Sequence, residues 1–277
     1  MSLLDKLIDI PENYIYLILA VILIVSTFVP IGLPVPITDQ TRKYFNDIEA
    51  LPPGSVILVP FDPSPGTEME IGLSSHIVMK HLFRKDFILV FVSISLPAPP
   101  LFESTLKDEN LWDKYQQYYG TRYVWLGYIS GAETAAAALS SSITKTLLVD
   151  YYGNNLKDMP IFQNIEGAKD FDVVVCVNSQ ATLSVSWMNQ WAVPYKLPLY
   201  VNPMASVAGT FWPYIEAGQM TAMLVGAKAA AGYEILYGEP GRATSGMDAQ
   251  SLGHLYLIAL VVISNILFQL KKSRGRD

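Results

Sequence analysis

The chain has 277 residues, 51% of them hydrophobic, and a formal net charge of −6 from 19 basic and 25 acidic side chains. Without clustered Lys and Arg to displace counterions, a nucleic-acid surface is excluded. A lone cysteine, Cys176, excludes an intrachain disulfide, and its place in the apolar run Val173 to Val177 reads as a small buried hydrophobe.

Residues 1–13 read as a short cytoplasmic N-terminus. Residues 14–31, YIYLILAVILIVSTFVPI, are charge-free and about as long as the ~17 to 25 residues that cross a bilayer core as a helix. The preceding segment is not basic despite Lys6, and no small-x-small cleavage site follows, which favours an uncleaved anchor over a signal peptide. Pro30, Pro34 and Pro36 then end the helix in an extended stalk.

From residue 32 to residue 237, β-branched runs alternate with helical stretches. Strands are expected at Ser55 to Phe61, Phe87 to Ser95, Tyr123 to Tyr128, Phe171 to Asn178 and Leu197 to Asn202. Helices are expected at Thr67 to Arg84, Leu101 to Tyr119, Glu133 to Thr144, Leu183 to Val193 and Pro213 to Tyr237. Strands apolar throughout imply helices on both sheet faces, so the fold class is α/β, a Rossmann-like doubly wound, mostly parallel sheet of about five strands between two transmembrane helices. In the last predicted helix Gly218, Ala222, Gly226 and Ala230 recur every four residues. Such a small-residue stripe suits packing on the domain's own sheet or contact with a second subunit.

Residues 238–251 form a juxtamembrane segment rich in glycine and small polar residues, read as a flexible linker or as a docking collar carrying Arg242, Asp248 and Gln250. Residues 252–270, LGHLYLIALVVISNILFQL, are a second span, and residues 271–277 a basic tail with Lys271, Lys272, Arg274 and Arg276. Basic flanks stay cytoplasmic, so a two-pass cell-membrane protein with both termini cytoplasmic and an extracytoplasmic domain is expected. His254, Ser264 and Asn265, polar groups within the second span, bond either to a neighbouring helix or to their own surroundings.

Open α/β sheets bind ligands at the carboxyl ends of their strands. After the first strand, Asp62-Pro63-Ser64-Pro65-Gly66-Thr67-Glu68-Met69-Glu70 gathers three carboxylates, readable as a rigid metal or acid/base site or, for Thr67 with Glu70, as a capping box. Ser130-Gly131-Ala132-Glu133 after the third strand repeats the Ser-x-x-Glu pattern. Asn178 with Ser179, and Asn202, follow the fourth and fifth strands and suit a polar small molecule or ordinary turns. The ligand-binding set is therefore Asp62, Ser64, Gly66, Ser130, Gly131, Asn178, Ser179 and Asn202; the oligomer-contact set is Gly218, Ala222, Gly226, Arg242, Asp248, Gln250 and His254. No dinucleotide, Walker or nucleophile-elbow motif occurs, and His76 and His81 are five apart rather than four, so no cofactor and no metal are expected. These features imply a non-enzymatic scaffold or ligand-sensing subunit of a membrane complex, in contact with the lipid bilayer, with copies of itself or other membrane subunits, and with a possible polar small molecule. The alternative is a membrane-bound hydrolase or transferase using Asp62, Glu68 and Glu133.

Overall fold

The computed structural model describes residues 10–28 and 31–274; Lys6, Pro30 and Arg276 lie outside the described residues. The chain divides into two compact units, Pro36–Glu239 and the terminal segments Met1–Val35 with Pro240–Asp277. The terminal unit holds helices α1 (Glu12–Phe28) and α12 (Arg242–Arg274).

In the central unit α2 (Asp39–Glu49) precedes β1 (Val56–Asp62), α3 (Leu73–Arg84), β2 (Ile88–Ser93), α4 (Ala98–Asp108), α5 (Leu111–Tyr115) and β3 (Tyr123–Tyr128). Then come α6 (Glu133–Ser141), α7 (Ile143–Thr146), β4 (Val173–Asn178), α8 (Ala181–Trp187), α9 (Val193–Tyr195) and β5 (Leu199–Asn202). The unit closes with α10 (Trp212–Glu216), β6 (Ala222–Met223) and α11 (Gly226–Tyr237).

All strand pairs are parallel and the order is β3-β2-β1-β4-β5-β6, so the winding reverses between β1 and β4. The expected Rossmann-like α/β class holds, with six strands rather than five. Alternate side chains build a separate core on each face. Ile57, Val59, Phe61, Phe91 and Val175 pack with Tyr44 of α2, Leu82 of α3, Phe102 of α4 and Tyr233 of α11. Leu58, Val90, Val174 and Cys176 pack with Ala136 and Leu139 of α6, Trp187 of α8, and Trp191. At one sheet edge β6 is only two residues long. At the other, Trp125 of β3 gives its carbonyl to Tyr151 N–H (3.1 Å) and its own N–H to the Tyr119 hydroxyl (3.3 Å).

Three expected elements change form. The run Pro213 to Tyr237 breaks into α10, β6 and α11. Gly218 sits in a turn, Ala222 lies in β6 and Gly226 opens α11, so the four-residue recurrence makes no common face. Gly218, with φ +69°, follows the end of α10, and Gly226, with φ +60° and Glu70 Oε2 at 2.8 Å from where a Cβ would stand, opens α11, so neither suits a helix interior. The run expected from Thr67 starts with a 3₁₀ turn at Pro65–Thr67 and a π turn at Glu68–Gly72 before α3. The stretch read as stalk contains α2, whose N-cap Thr38 hydroxyl accepts the Thr41 N–H at 3.1 Å.

In the terminal unit only one helix among the described residues, Arg242–Ser273, is long and apolar enough to cross a membrane by length and composition, with a mean hydropathy of 2.0 over its most apolar window. Glu12–Phe28 is apolar but has 17 residues, about 26 Å at 1.5 Å per residue, slightly short of a ~30 Å hydrocarbon core. The two helices pack together: Tyr256 donates its hydroxyl to the Ile15 carbonyl (2.9 Å), and a Cβ on Gly253 would stand 3.3 Å from Leu23. From Arg242 onward the collar is part of α12 rather than a flexible linker. Its buried Asp248 accepts the N–H groups of Ile31 (2.7 Å), Gly32 (2.9 Å) and Leu33 (2.9 Å). Gln250 and His254, four apart on α12, are exposed, and Asn265 bonds to the Val261 carbonyl of its own helix at 2.8 Å.

Candidate functional site

The carboxyl ends of β1 and β4 meet at the switch point, where Asp62 stands in register with Asn178. Asp62 is fully buried and its carboxylate is surrounded by donors. The Ser93 hydroxyl (2.7 Å) and Ile94 N–H (2.8 Å) reach one oxygen; Trp187 Nε1 (3.2 Å) and Asn178 Nδ2 (3.4 Å) reach the other. Burial pushes its carboxyl up from 3.8 to about 6, against the hydrogen bonds, led by Ser93, that hold it down. Ser179 donates both its N–H (3.2 Å) and its hydroxyl (3.1 Å) to the Asp62 carbonyl, stitching the two strand ends together. The crevice that a dinucleotide would enter in this topology is thus filled by the chain's own side chains.

The remaining expected site residues disperse. Ser64 and Gly66 lie on the loop after β1, where Thr67 accepts the Ser64 N–H (3.3 Å) and donates to the Ser64 carbonyl (2.7 Å). Glu70 does not close the expected capping box; it accepts the Ala205 N–H after β5 (2.8 Å). Glu68 approaches His76 Nε2 (3.6 Å). Asn178 accepts the Gln180 N–H (2.8 Å), and buried Asn202 accepts the Tyr44 hydroxyl (2.9 Å). Both amides belong to the interior. His76 and His81 point to different partners, His81 lying between the Tyr233 hydroxyl and Glu49 at 2.7 Å each.

An open cavity of about 440 Å³ lies one step along the sheet, over the β4 and β5 ends on the α6 and α8 face, lined by Glu133, Thr182, Val185, Ser186, Thr210 and Tyr214. Its volume falls in the ~300 to 1,000 Å³ range of small-molecule sites. Glu133 ends the exposed segment Ser130 to Glu133, in which Gly131 has φ +111° and Ala132 φ +44°. A non-glycine residue in that region costs on the order of 1–3 kcal/mol and persists where surrounding structure over-determines it. The Ser130-x-x-Glu133 capping box is not formed: α6 has no side-chain cap, and the Thr134 hydroxyl bonds back to the Gly131 carbonyl (2.6 Å). Glu133 instead accepts Gln190 Nε2 (2.9 Å) and Asn189 Nδ2 (3.4 Å), which hold its carboxylate at the cavity wall.

Of the sequence-expected residues, Glu133 lines this cavity, whereas Asp62, Asn178, Ser179 and Asn202 are buried at the strand ends. Sequence reasoning missed Thr182, Ser186, Thr210 and Tyr214. The signal was present for Thr182 and Ser186, whose four-residue spacing places both on one face of α8, but not for Thr210 and Tyr214, which lie in separate helical turns. Comparison with protein-family models, curated proteins and solved structures finds no match.

Proposed function

We propose that this chain is a membrane-anchored, ligand-sensing or scaffold subunit of a membrane complex, self-associating and non-enzymatic. The carrying observation is the contrast between the two places where chemistry could occur. Asp62 is spent on four packing hydrogen bonds in the core, whereas the open cavity offers hydroxyls and one carboxylate held by two amides. Fixed hydroxyls and a carboxylate already bonded to two amides suit recognition of a hydroxyl-rich polar small molecule better than bond cleavage, which needs a nucleophile or base with access to the substrate.

The anchor in this reading is a two-pass hairpin, with α1 as the shorter span, both ends cytoplasmic and the domain extracytoplasmic. Its support is the packing of α1 on α12 and the Lys271, Lys272 and Arg274 flank. Exposed Gln250 and His254 are then the contacts through which copies or other subunits associate. The test is native mass spectrometry of the full chain in mild detergent, with thermal shifts against a panel of sugars and polyols for wild type and Thr182→Val/Thr210→Val. An oligomer or co-purifying subunit and a shift lost in the variant support the reading. Monomer alone with no shift from any compound sinks it. The enzymatic alternative draws on the elevated Asp62 carboxyl, since perturbed acids cluster at active sites. It requires that Asp62→Asn or Glu133→Gln abolish a turnover that wild type shows against ester, phosphoester or glycoside substrates.

A further inference from the structure

A second cavity, of about 430 Å³, opens where α4 meets α5, away from the strand-end cavity in sequence and lining. The corner between the helices is Asn110, whose φ of +55° is a left-handed conformation that Asn tolerates. That corner turns Trp112 back over α4, so the indole shares the cavity wall with Leu106 and with Tyr152 from the segment after α7. The Trp112 and Tyr152 ring centroids are 5.9 Å apart at 55°, with Tyr119 packed against both at 6.4 Å and 5.5 Å. Both wall rings are solvent-exposed, 37% and 42%, yet neither is loosely held. Buried Asp150 accepts the Tyr119 hydroxyl (2.6 Å) and the N–H groups of Tyr152 (3.0 Å) and Asn154 (2.7 Å), fixing the turn that presents Tyr152. Around these rings stand three charges, Glu103, Asp113 and Lys107, none with an ion-pair partner among the described residues.

We propose that this cavity binds a small zwitterion of the betaine class, an alkylated ammonium joined to a carboxylate. A quaternary ammonium is attracted to aromatic faces, most strongly to indole, and loses little hydration on entering a wall made of Leu106, Trp112 and Tyr152. Glu103 and Asp113 add negative potential, while Lys107, one turn from Glu103 on α4, receives the carboxylate. Ordered rings cost little further entropy on binding. A site for an anion alone would not carry two carboxylates, and a purely apolar ligand would leave all three charges unused.

The experiment is isothermal titration calorimetry of the full chain in a maltoside detergent with glycine betaine, tetramethylammonium and 3,3-dimethylbutanoate, which replaces the ammonium by a neutral carbon of the same shape. Glycine betaine is expected to bind in the millimolar range or tighter and tetramethylammonium more weakly, with no heat from dimethylbutanoate. Trp112→Ala and Tyr152→Ala should each weaken betaine at least about tenfold, and Lys107→Ala should bring it down to the affinity of tetramethylammonium. Trp112→Phe, which keeps an aromatic face, serves where the alanine variant does not fold and should retain partial affinity. The proposal is overturned by the absence of betaine heat up to about 10 mM, by dimethylbutanoate binding as tightly as betaine, or by unaltered betaine affinity in both aromatic variants.

Discussion

Two buried titratable groups in this domain carry opposite pH dependences, and separating them tests the electrostatic reading of the core. Asp62 is pushed up from 3.8 to about 6 by burial. Between those values the folded state holds a proton that the unfolded state lacks, so this stability is full below pH 3.8 and is lost as pH rises through about 6. His81, 0% exposed, is pushed down from 6.5 to about 4 by burial, against its Glu49 hydrogen bond. Here the unfolded state holds the extra proton, so the contribution is present above pH 6.5 and lost as pH falls through about 4. At about 1.4 kcal/mol per unit, each shift amounts to about 3 kcal/mol over nearly the same window. Glu49 and Glu166, held below their ordinary 4.5, act at the acid end. The expected wild-type profile of unfolding free energy from pH 4.5 to 6 is therefore nearly flat. Asp62→Asn leaves a donor facing Trp187 and Asn178 and costs about 2–4 kcal/mol, and it unmasks the histidine slope, so its stability climbs with pH. His81→Gln shows the mirror profile, falling as pH rises. Urea midpoints of the full chain in mild detergent, followed by the emission of buried Trp187 and Trp191, measure all three. An Asp62→Asn profile parallel to wild type refutes the assignment of the falling limb to Asp62.

Gly226→Ala should destabilise the domain by about 1–3 kcal/mol, because a Cβ there meets Glu70 Oε2 and φ is positive; Glu70→Ala in the same background recovers only the steric part, read from the same urea midpoints. Asp248→Ala leaves three N–H groups unpaired, so hydrogen exchange at Ile31 to Leu33 should quicken at least tenfold, equivalent to about 1.4 kcal/mol or more of local opening, with the core unchanged. Because Cys176 is buried and its thiol is pushed up by burial, the native chain should resist maleimide. Gln163→Cys in the domain and Ser273→Cys at the end of α12 should then label from opposite sides of sealed vesicles; labelling from one side refutes the proposed topology.

The five expected strands are found because β-branched runs buried on both faces carry a signal that local sequence cannot disguise. Val173 to Val177 and Leu58 to Val59 leave little alternative to central strands. β6 was not legible, since two residues flanked by Gly218 and Gly226 are too few to show a period, and the apolar run through them continues the helical spacing on either side. The strand-end loops were legible as places but not as roles. Whether Asp62 reaches solvent depends on Trp187, 125 positions later, and no spacing rule links an aspartate to an indole across that separation. Glu70 illustrates the same gap: Thr67-x-x-Glu70 has the right letters for a cap, but a π turn rotates the carboxylate toward Ala205. Asp248 stood in a stretch whose composition resembled a linker, and only its three amide partners reveal a joint.

Under the proposed membrane anchorage, the treatment of the sheet margins bears on crowding in a bilayer. Proteins tethered to a membrane meet one another at high effective concentration and in a restricted set of orientations. An open strand margin under those conditions is a template for runaway lateral pairing into fibrous aggregates. Here one margin is truncated to Ala222 and Met223, and the other has its Trp125 amide and carbonyl taken by Tyr119 and Tyr151. In the proposed assembly, copies would therefore meet through side chains rather than through backbone pairing at Trp125 or at the two-residue β6.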